Sequence, residues 1–467
     1  MTTKKPLALL MMVCAFAASA AFEVGFARLD VTPPLGVDMT GYSQVRYADG
    51  VLDPLDAIAV AFSDGTNRAV VISVDIINLR AFFDLYRKGV AEMTGLPPEA
   101  VFIACTHTHT GPGVGNCVYG EMFDSFEKAT PYGRQIRDRL ASVAKLALND
   151  LAPATLSVAR GEAKGISFIR RFRMKDGTCR TNPGVGNPDI VGPIGQPDEQ
   201  VQLVRIDRPG KDTIALVNFQ CHPDTIGGTR ISADWPRVVR ETVERSLDNV
   251  KCIFINGAQG DTNHINVDPK AQGLGKRSGR CHIHMGRVVA GTVLGLWDIC
   301  RSIPSGKVGF GIARARARAN KGNPEELAEA HRVMELVKAG RFAEVPGVGM
   351  QKTTNAAGAR RIVHLENAPD FIEFPLSAVT IGDSLAFTGF PGEPFTAYGV
   401  AVKARSPFKV TIPACIVNGN YGYLPVDSAL REGGYEAYGS FFTEGLEAAM
   451  VNGHIEQLNR LLSLLSR

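Results

Sequence analysis

The residues best suited to chemistry stand in the stretch Thr106-His107-Thr108-His109-Thr110-Gly111-Pro112. They follow an apolar run, Val101 to Cys105, that reads as a buried strand. Along a strand, side chains at i and i+2 share a face. If strand geometry persists, His107 and His109 project together and the threonines turn the other way. Gly111-Pro112-Gly113 then ends regular structure. Two imidazoles side by side at a strand end suit zinc or another transition metal. They also suit a hydrogen-bonded histidine pair at a loop mouth, so the rest of the chain must decide.

Other apolar runs end in comparable residues. Asp75 closes Ala69 to Val74, and His222-Pro223-Asp224 follows Ile214 to Cys221. Gly260-Asp261 comes shortly after Cys252 to Asn256. Pro391-Gly392-Glu393-Pro394 follows Leu385 to Phe390, and Asn418 to Tyr423 follows Val410 to Val417. In open α/β sheets, ligands bind beyond the carboxyl ends of the strands. Strands ending at a shared edge would gather these groups into one site. Taken singly, Glu393 also reads as a helix-start acid favoured by the dipole, Tyr423 as a loop aromatic, and His222 as a strand-end histidine.

The elements that must position them alternate along the chain. Ala57 to Phe62 and Ala69 to Asp75 predict two strands joined at Asp64-Gly65. Phe82 to Thr94 and Pro131 to Leu148 carry helical stripes, as do Arg237 to Leu247 and Arg277 to Trp297. Glu162 to Pro197 is irregular and basic, with Arg170-Arg171-Phe172-Arg173, and reads as a solvated loop or a cationic wall over a site. Ile312 to Arg318 alternates with period two, which predicts a strand with its arginines on a solvated edge. Asn323-Pro324-Glu325 predicts a capped helix start. Thr353 to Leu365 reads as a flexible loop followed by a strand, and His454 to Leu465 as an amphipathic helix. No internal repeat or clear linker interrupts the series. Strands and helices in alternation predict a mixed α/β (α+β) fold.

Composition sets the outer bounds. The chain has 467 residues, 45% hydrophobic and 21% charged, which is ordinary globular usage. A net charge of +4 gives no electrostatic footprint for nucleic acid. Lys4-Lys5, an apolar segment from Pro6 to Phe16, and Ala18-Ser19-Ala20 predict a signal peptide over residues 1–20. Residues 21–467 are then expected to form one exported domain, periplasmic or secreted, from a bacterium. No later run approaches the ~18 apolar residues of a membrane span. Outside the leader, the cysteines Cys105, Cys117, Cys179, Cys221, Cys252, Cys281, Cys300 and Cys415 show no zinc-ribbon spacing.

On these motifs the chain resembles the catalytic domain of the neutral/alkaline (non-lysosomal) ceramidases. The matching pieces are Gly25 to Asp30 with Thr32-Pro33-Pro34, the Thr106 to Pro112 stretch, and the Arg170 region. Asn218 to His222, Asn256 with Gly260-Asp261, and Pro391-Gly392-Glu393 follow, and then Asn418 through Tyr423 to Tyr435-Glu436-Ala437. The resemblance implies mixed sheets flanked by helices, with the site at the carboxyl ends of strands. It further implies one zinc ion held by His107, His222, Glu393 and Tyr423, with His107 rather than His109 as the direct ligand by analogy alone. His109 is then expected to shuttle a proton, and Arg170, Tyr435 and Asn263 to bind substrate or an oxyanion. The implied activity is hydrolysis of a linear amide, in a ceramide-like N-acyl lipid or another small molecule, by zinc-activated water. A metal-dependent esterase or lactonase and a non-catalytic binding protein are the competing readings.

The chain departs from the family pattern in two places. Where the ceramidases read Gly-Asp-Val-Ser-Pro-Asn, this chain reads Gly260-Asp261-Thr262-Asn263-His264-Ile265. An amide at the serine position cannot serve as a nucleophile, although it can donate a hydrogen bond. The chain also ends soon after the tyrosine block, so the immunoglobulin-like C-terminal domain of the ceramidases is not expected.

Overall fold

A computed structural model describes residues 22–42, 46–115, 127–270 and 280–465. The expected signal peptide over residues 1–20 and Cys117 lie outside these residues. Twelve longer strands form three sheets. The first holds β1 (Glu23–Asp30), β2 (Asp56–Ser63), β3 (Arg68–Val74) and β4 (Val101–Cys105), with the short Ala152–Pro153 strand at its far edge. The second holds β5 (Thr155–Glu162), β6 (Gln200–Asp207), β7 (Thr213–Phe219) and β8 (Val250–Asn256), with Arg301–Ile303 at its edge. The third holds β9 (Val308–Arg318), β10 (Phe371–Ile381), β11 (Leu385–Gly389) and β12 (Val410–Ala414).

Each sheet is antiparallel except for one terminal pair. β3 and β4 run parallel, as do β7 and β8, and β11 and β12. Parallel neighbours need a long crossover, usually a helix. The crossovers here are α1 (Phe83–Thr94), α3 (Asp234–Ser246) and α7 (Thr396–Arg405), with α2 (Pro131–Asn149) and α4 (Cys281–Leu296) following the first two pairs. α1 packs on α2 and α3 on α4. All six parallel strands are almost wholly buried apolar runs, as strands covered on both faces must be.

One apolar cluster draws on all three sheets: Ile72 and Ile103 from the first, Leu216 and Ile253 from the second, Phe387 and Ile412 from the third. Buried asparagines tie the strand ends across it. The Asn256 side chain donates to the carbonyls of Thr106 (3.0 Å) and Cys221 (3.3 Å), and its oxygen accepts from the Cys221 N–H. Asn418 donates to the Val101 carbonyl and accepts from the Ile103 N–H, at 3.0 and 3.2 Å. The Cys415 N–H donates to the Asn256 carbonyl at 3.0 Å. Together these bonds link the ends of β4, β7, β8 and β12.

Two expectations change. Thr353 to Leu365 is neither loop nor strand but part of α6 (Met350–His364). Its Ala356, Ala359 and Ile362 bury against Ala330 and Val333 of α5 (Pro324–Lys338), and that packing overrides the weak local propensity of Thr353-Thr354-Asn355. The basic segment is also more ordered than expected. It contributes short strands at Phe168–Ile169, Arg171–Met174, Cys179–Thr181 and Ile190–Pro193, and Arg170 and Arg171 are buried. The alternating Arg314, Arg316 and Arg318 do lie exposed on an edge strand, and Asn323 caps α5 through a reciprocal bond with Glu326.

Removing the Asn256 amide leaves three buried backbone groups without partners. Asn256→Ala is expected to cost about 2–4 kcal/mol of stability, measured as a fall in urea midpoint at unchanged slope.

Candidate metal centre

Regular strand geometry stops at Cys105. His107 takes a left-handed φ of 74°, uncommon for a residue with a side chain. The pleat therefore does not carry His107 and His109 to one side, as the sequence pattern implied. A turn does so instead. The His107 N–H donates to Ile76 and the His109 N–H to Pro223, and the two rings meet edge to face at 5.0 Å. The threonines face away as expected: Thr106 bonds Asp75, while Thr108 and Thr110 bond the Ser232 carbonyl.

His222 arrives from the end of β7, with its ring 5.0 Å from His107 and 5.6 Å from His109. Glu393 arrives from the turn after β11. Glu393–Pro394 pairs in parallel with Tyr423–Leu424, and Glu393 stands directly beside Tyr423 in that register. Gly260 makes this approach possible. Its N–H donates to the Pro394 carbonyl at 2.7 Å, and a Cβ there would lie 2.3 Å from the Glu393 carbonyl oxygen. Tyr423 stacks near His222, with ring centres 6.4 Å apart.

The hydrogen bonds settle which imidazole nitrogens face inward. Nδ1 of His107 lies 2.9 Å from the Ile77 carbonyl, and Nδ1 of His222 lies 2.9 Å from the carbonyls of Gln259 and Thr262. Carbonyls only accept, so Nδ1 carries a proton in both rings and each Nε2 is turned to the centre, as a lone pair when the ring is neutral. Those Nε2 atoms lie 3.3 and 3.1 Å from the same Glu393 oxygen, Oε2. Two imidazole nitrogens and a carboxylate oxygen thus converge on one point, a donor set that suits a cation when the rings are neutral. His109 adds a fourth donor atom: its ring is buried, and among the described residues neither nitrogen has a hydrogen-bond partner. One nitrogen from each of His107, His109 and His222 lies within 4.8 Å of the others. Imidazoles held by backbone carbonyls and a nearby carboxylate are the donor chemistry of transition-metal sites.

The electrostatics tie the same groups to one another as ion pairs. Burial would raise the Glu393 carboxyl, but His107 and His222 overcome it and hold it well below the ordinary carboxylate range. Burial would lower His107, and Glu393 reverses this to a net rise. Burial and then the Arg170 guanidinium lower His222. Burial, reinforced by His107, pulls His109 down to about 3, so it is neutral. Burial lifts the phenols of Tyr423 and Tyr435.

Arg170 forms one wall. Its Nε donates to Glu436 at 2.7 Å and its Nη2 to the Gly260 carbonyl at 2.9 Å, which leaves Nη1 turned inward, 3.3 Å from His222 Nε2. Its guanidinium faces Tyr423 and Tyr435, at 5.2 and 6.0 Å from the ring centres. Glu436 is fully buried and also accepts from Thr181 at 2.7 Å. Asn263 is buried on the strand pair beside Arg170; its nitrogen donates to Asn182 and its oxygen accepts from the Ile265 N–H. Asp75 and Asp261 serve structure instead. Asp75 pairs with the buried Arg240 at 2.5 Å, and Asp261 accepts from the Thr396 N–H and hydroxyl. Residue patterns gave no sign of the orienting carbonyls of Ile77, Gln259 and Thr262, because backbone groups have no sequence signature. Glu436 was visible only as part of a motif.

No family model matches the chain. Over 143 residues, 30% of its length, it is 32% identical to the neutral ceramidase of Mycobacterium tuberculosis (strain ATCC 25618 / H37Rv), and the match spans 20% of that protein. The fold superposes on the crystal structure of neutral ceramidase from Pseudomonas aeruginosa with a TM-score of 0.70 at 18% identity, covering 95% of this chain and 75% of that one. A ceramidase complexed with C2 gives 0.68 at 17% identity, covering 95% and 76%. The architecture of three sheets meeting at their parallel strand ends is therefore the neutral ceramidase fold.

Proposed function

We propose that this chain is an exported zinc-dependent hydrolase of a linear amide, taking an N-acyl lipid of the ceramide type or another small amide. In this reading residues 1–20 are a signal peptide and 21–467 a single catalytic domain. The observation that carries it is the convergence of the His107 and His222 Nε2 atoms on one Glu393 oxygen, with one nitrogen from each of His107, His109 and His222 within 4.8 Å of the others. Among the described residues, no helix is long and apolar enough to cross a membrane.

His107, His222, Glu393 and Tyr423 would hold the ion, with His109 within reach as an alternative donor. Zinc bound there would act as a Lewis acid toward a carbonyl and lower the pKa of water to about 7. The chain's own groups supply the remainder. His109, neutral and with both nitrogens open, is placed to take a proton from attacking water and pass it to the leaving amine. Arg170 keeps its charge in the buried site because Tyr423 and Glu436 oppose the cost of burial, and its inward Nη1 suits a developing oxyanion. Tyr435, across from Tyr423 at 5.3 Å, can donate its phenolic proton to the same region. Asn263 offers no nucleophile, so water is the attacking species.

Purified protein is expected to carry about one zinc per chain, as a single mononuclear site requires. His222→Ala and Glu393→Ala should lose it by elemental analysis. A protein that takes up no zinc would sink the reading. Zinc binding without turnover of any N-acyl amide, in a panel that also contains esters and lactones, would favour a binding protein. Arg170→Lys removes the fork and should lower kcat by about 10²-fold with little change in KM, read from steady-state kinetics on the best amide. Gly260→Ala should push the Glu393 strand outward and weaken zinc by at least about tenfold in a chelator competition.

A further inference from the structure

His264 stands where the resembling motif carries a proline, and it is buried. Its Nδ1 lies 3.1 Å from Oδ1 of Asp224, with the two side chains 2% and 17% exposed. Burial would raise the Asp224 carboxyl, and the bond to His264 overcomes that and holds it low.

The position of this pair gives it a consequence. Residues 222 to 224 each touch the centre's architecture. His222 supplies an inward Nε2, and Pro223 offers its carbonyl to the His109 N–H at 3.1 Å. Asp224 holds His264. On the opposite side, the loop after β8 orients the His222 ring through the carbonyls of Gln259 and Thr262, and His264 is two residues further on. The Asp224–His264 bond therefore closes a loop-to-loop bracket around His222. Beyond it, the Thr225 and Ile226 N–H groups donate to Asp234 at 2.9 and 3.0 Å, so the segment is anchored from two sides. Buried charged pairs add little net stability, but a bracket of this kind restricts where its loops can sit. Partners one step behind the ligands commonly set their orientation.

We infer that Asp224 and His264 are positioning residues of the metal centre, locking the His222 loop against the Thr262 carbonyl so that His222 and His109 face one point. This rests on the metal reading above. It assigns to His264, where the resembling motif carries a proline, the task of ordering a site whose motif lacks the family serine.

The test uses the full-length mature protein and zinc in competition with a chromophoric chelator. Asp224→Ala and His264→Ala should weaken zinc by about 10- to 100-fold. They should also lower kcat on the amide more than they raise KM. His264→Asn, whose amide nitrogen overlies the imidazole Nδ1 as a donor, should restore most of both. Thermal midpoints establish that each variant is folded. A folded His264→Ala that binds zinc like wild type would overturn the inference. So would equal losses in His264→Ala and His264→Asn, because packing alone would then account for the effect. If wild type takes up zinc but hydrolyses no amide, the proposed activity fails, while the affinity comparison still decides this role. If wild type takes up no zinc, both fall.

Discussion

The structure depends on one constraint: three sheets must end at the same place. Each brings a parallel pair whose carboxyl ends point to a common centre, and backbone groups at strand ends need partners that a buried loop cannot get from water. Asn256 and Asn418 meet that need with side-chain amides, each offering donors and an acceptor in one plane. Their bonds cross from one sheet to another, so the satisfaction of buried polar groups and the placement of the histidine loops are a single event. The shared apolar cluster pulls the sheets together without direction. The amides give the register that the apolar cluster cannot.

Within that frame the centre concentrates groups able to hold a cation. The His107 and His222 Nε2 atoms meet one Glu393 carboxylate oxygen in a buried place, where each group's charge depends on the others. The protein supplies the geometry by fixing every other valence: carbonyls on both Nδ1 atoms, Gly260 against the Glu393 backbone, and Glu436 on Arg170. A buried arginine beside such a site would be costly alone. With Glu436 and the Gly260 carbonyl holding two edges of its fork, the charge is balanced and one nitrogen remains for function.

Particular residues show what a sequence makes conspicuous. The His107–His109 pair, His222, Glu393 and Tyr423 stand out because imidazole, carboxylate and phenol following apolar runs are chemically distinctive, and they lie close together in the fold, with ring centres 5.0–6.4 Å apart and Glu393 3.1 Å from His222. The reason offered for the histidine pair was different from the one observed: a left-handed residue, not the strand pleat, aims His107. α6 was misread because Ile362-Val363-His364 locally resembles a strand, and only the neighbouring α5 makes its helical face worth burying. Glu436 stood out only within the tyrosine motif and Asp224 only within its strand-end triplet, and neither showed its partner, since burial is not written in residue type.

The sequence alone determined most of the longer strands and helices, the mixed α/β class, the candidate donor residues and the likeness to the neutral ceramidases. Those follow from local periodicity and from side-chain chemistry, which a linear reading can access. Only the tertiary structure decided which imidazole nitrogens face inward and which arginine nitrogen turns toward the centre. It also decided that Asp75 and Asp261 brace the fold, and that Asp224 meets His264. These depend on backbone carbonyls and on contacts between residues as far apart as Arg170 and Glu436, which acquire meaning only when three separate sheets close on the same point.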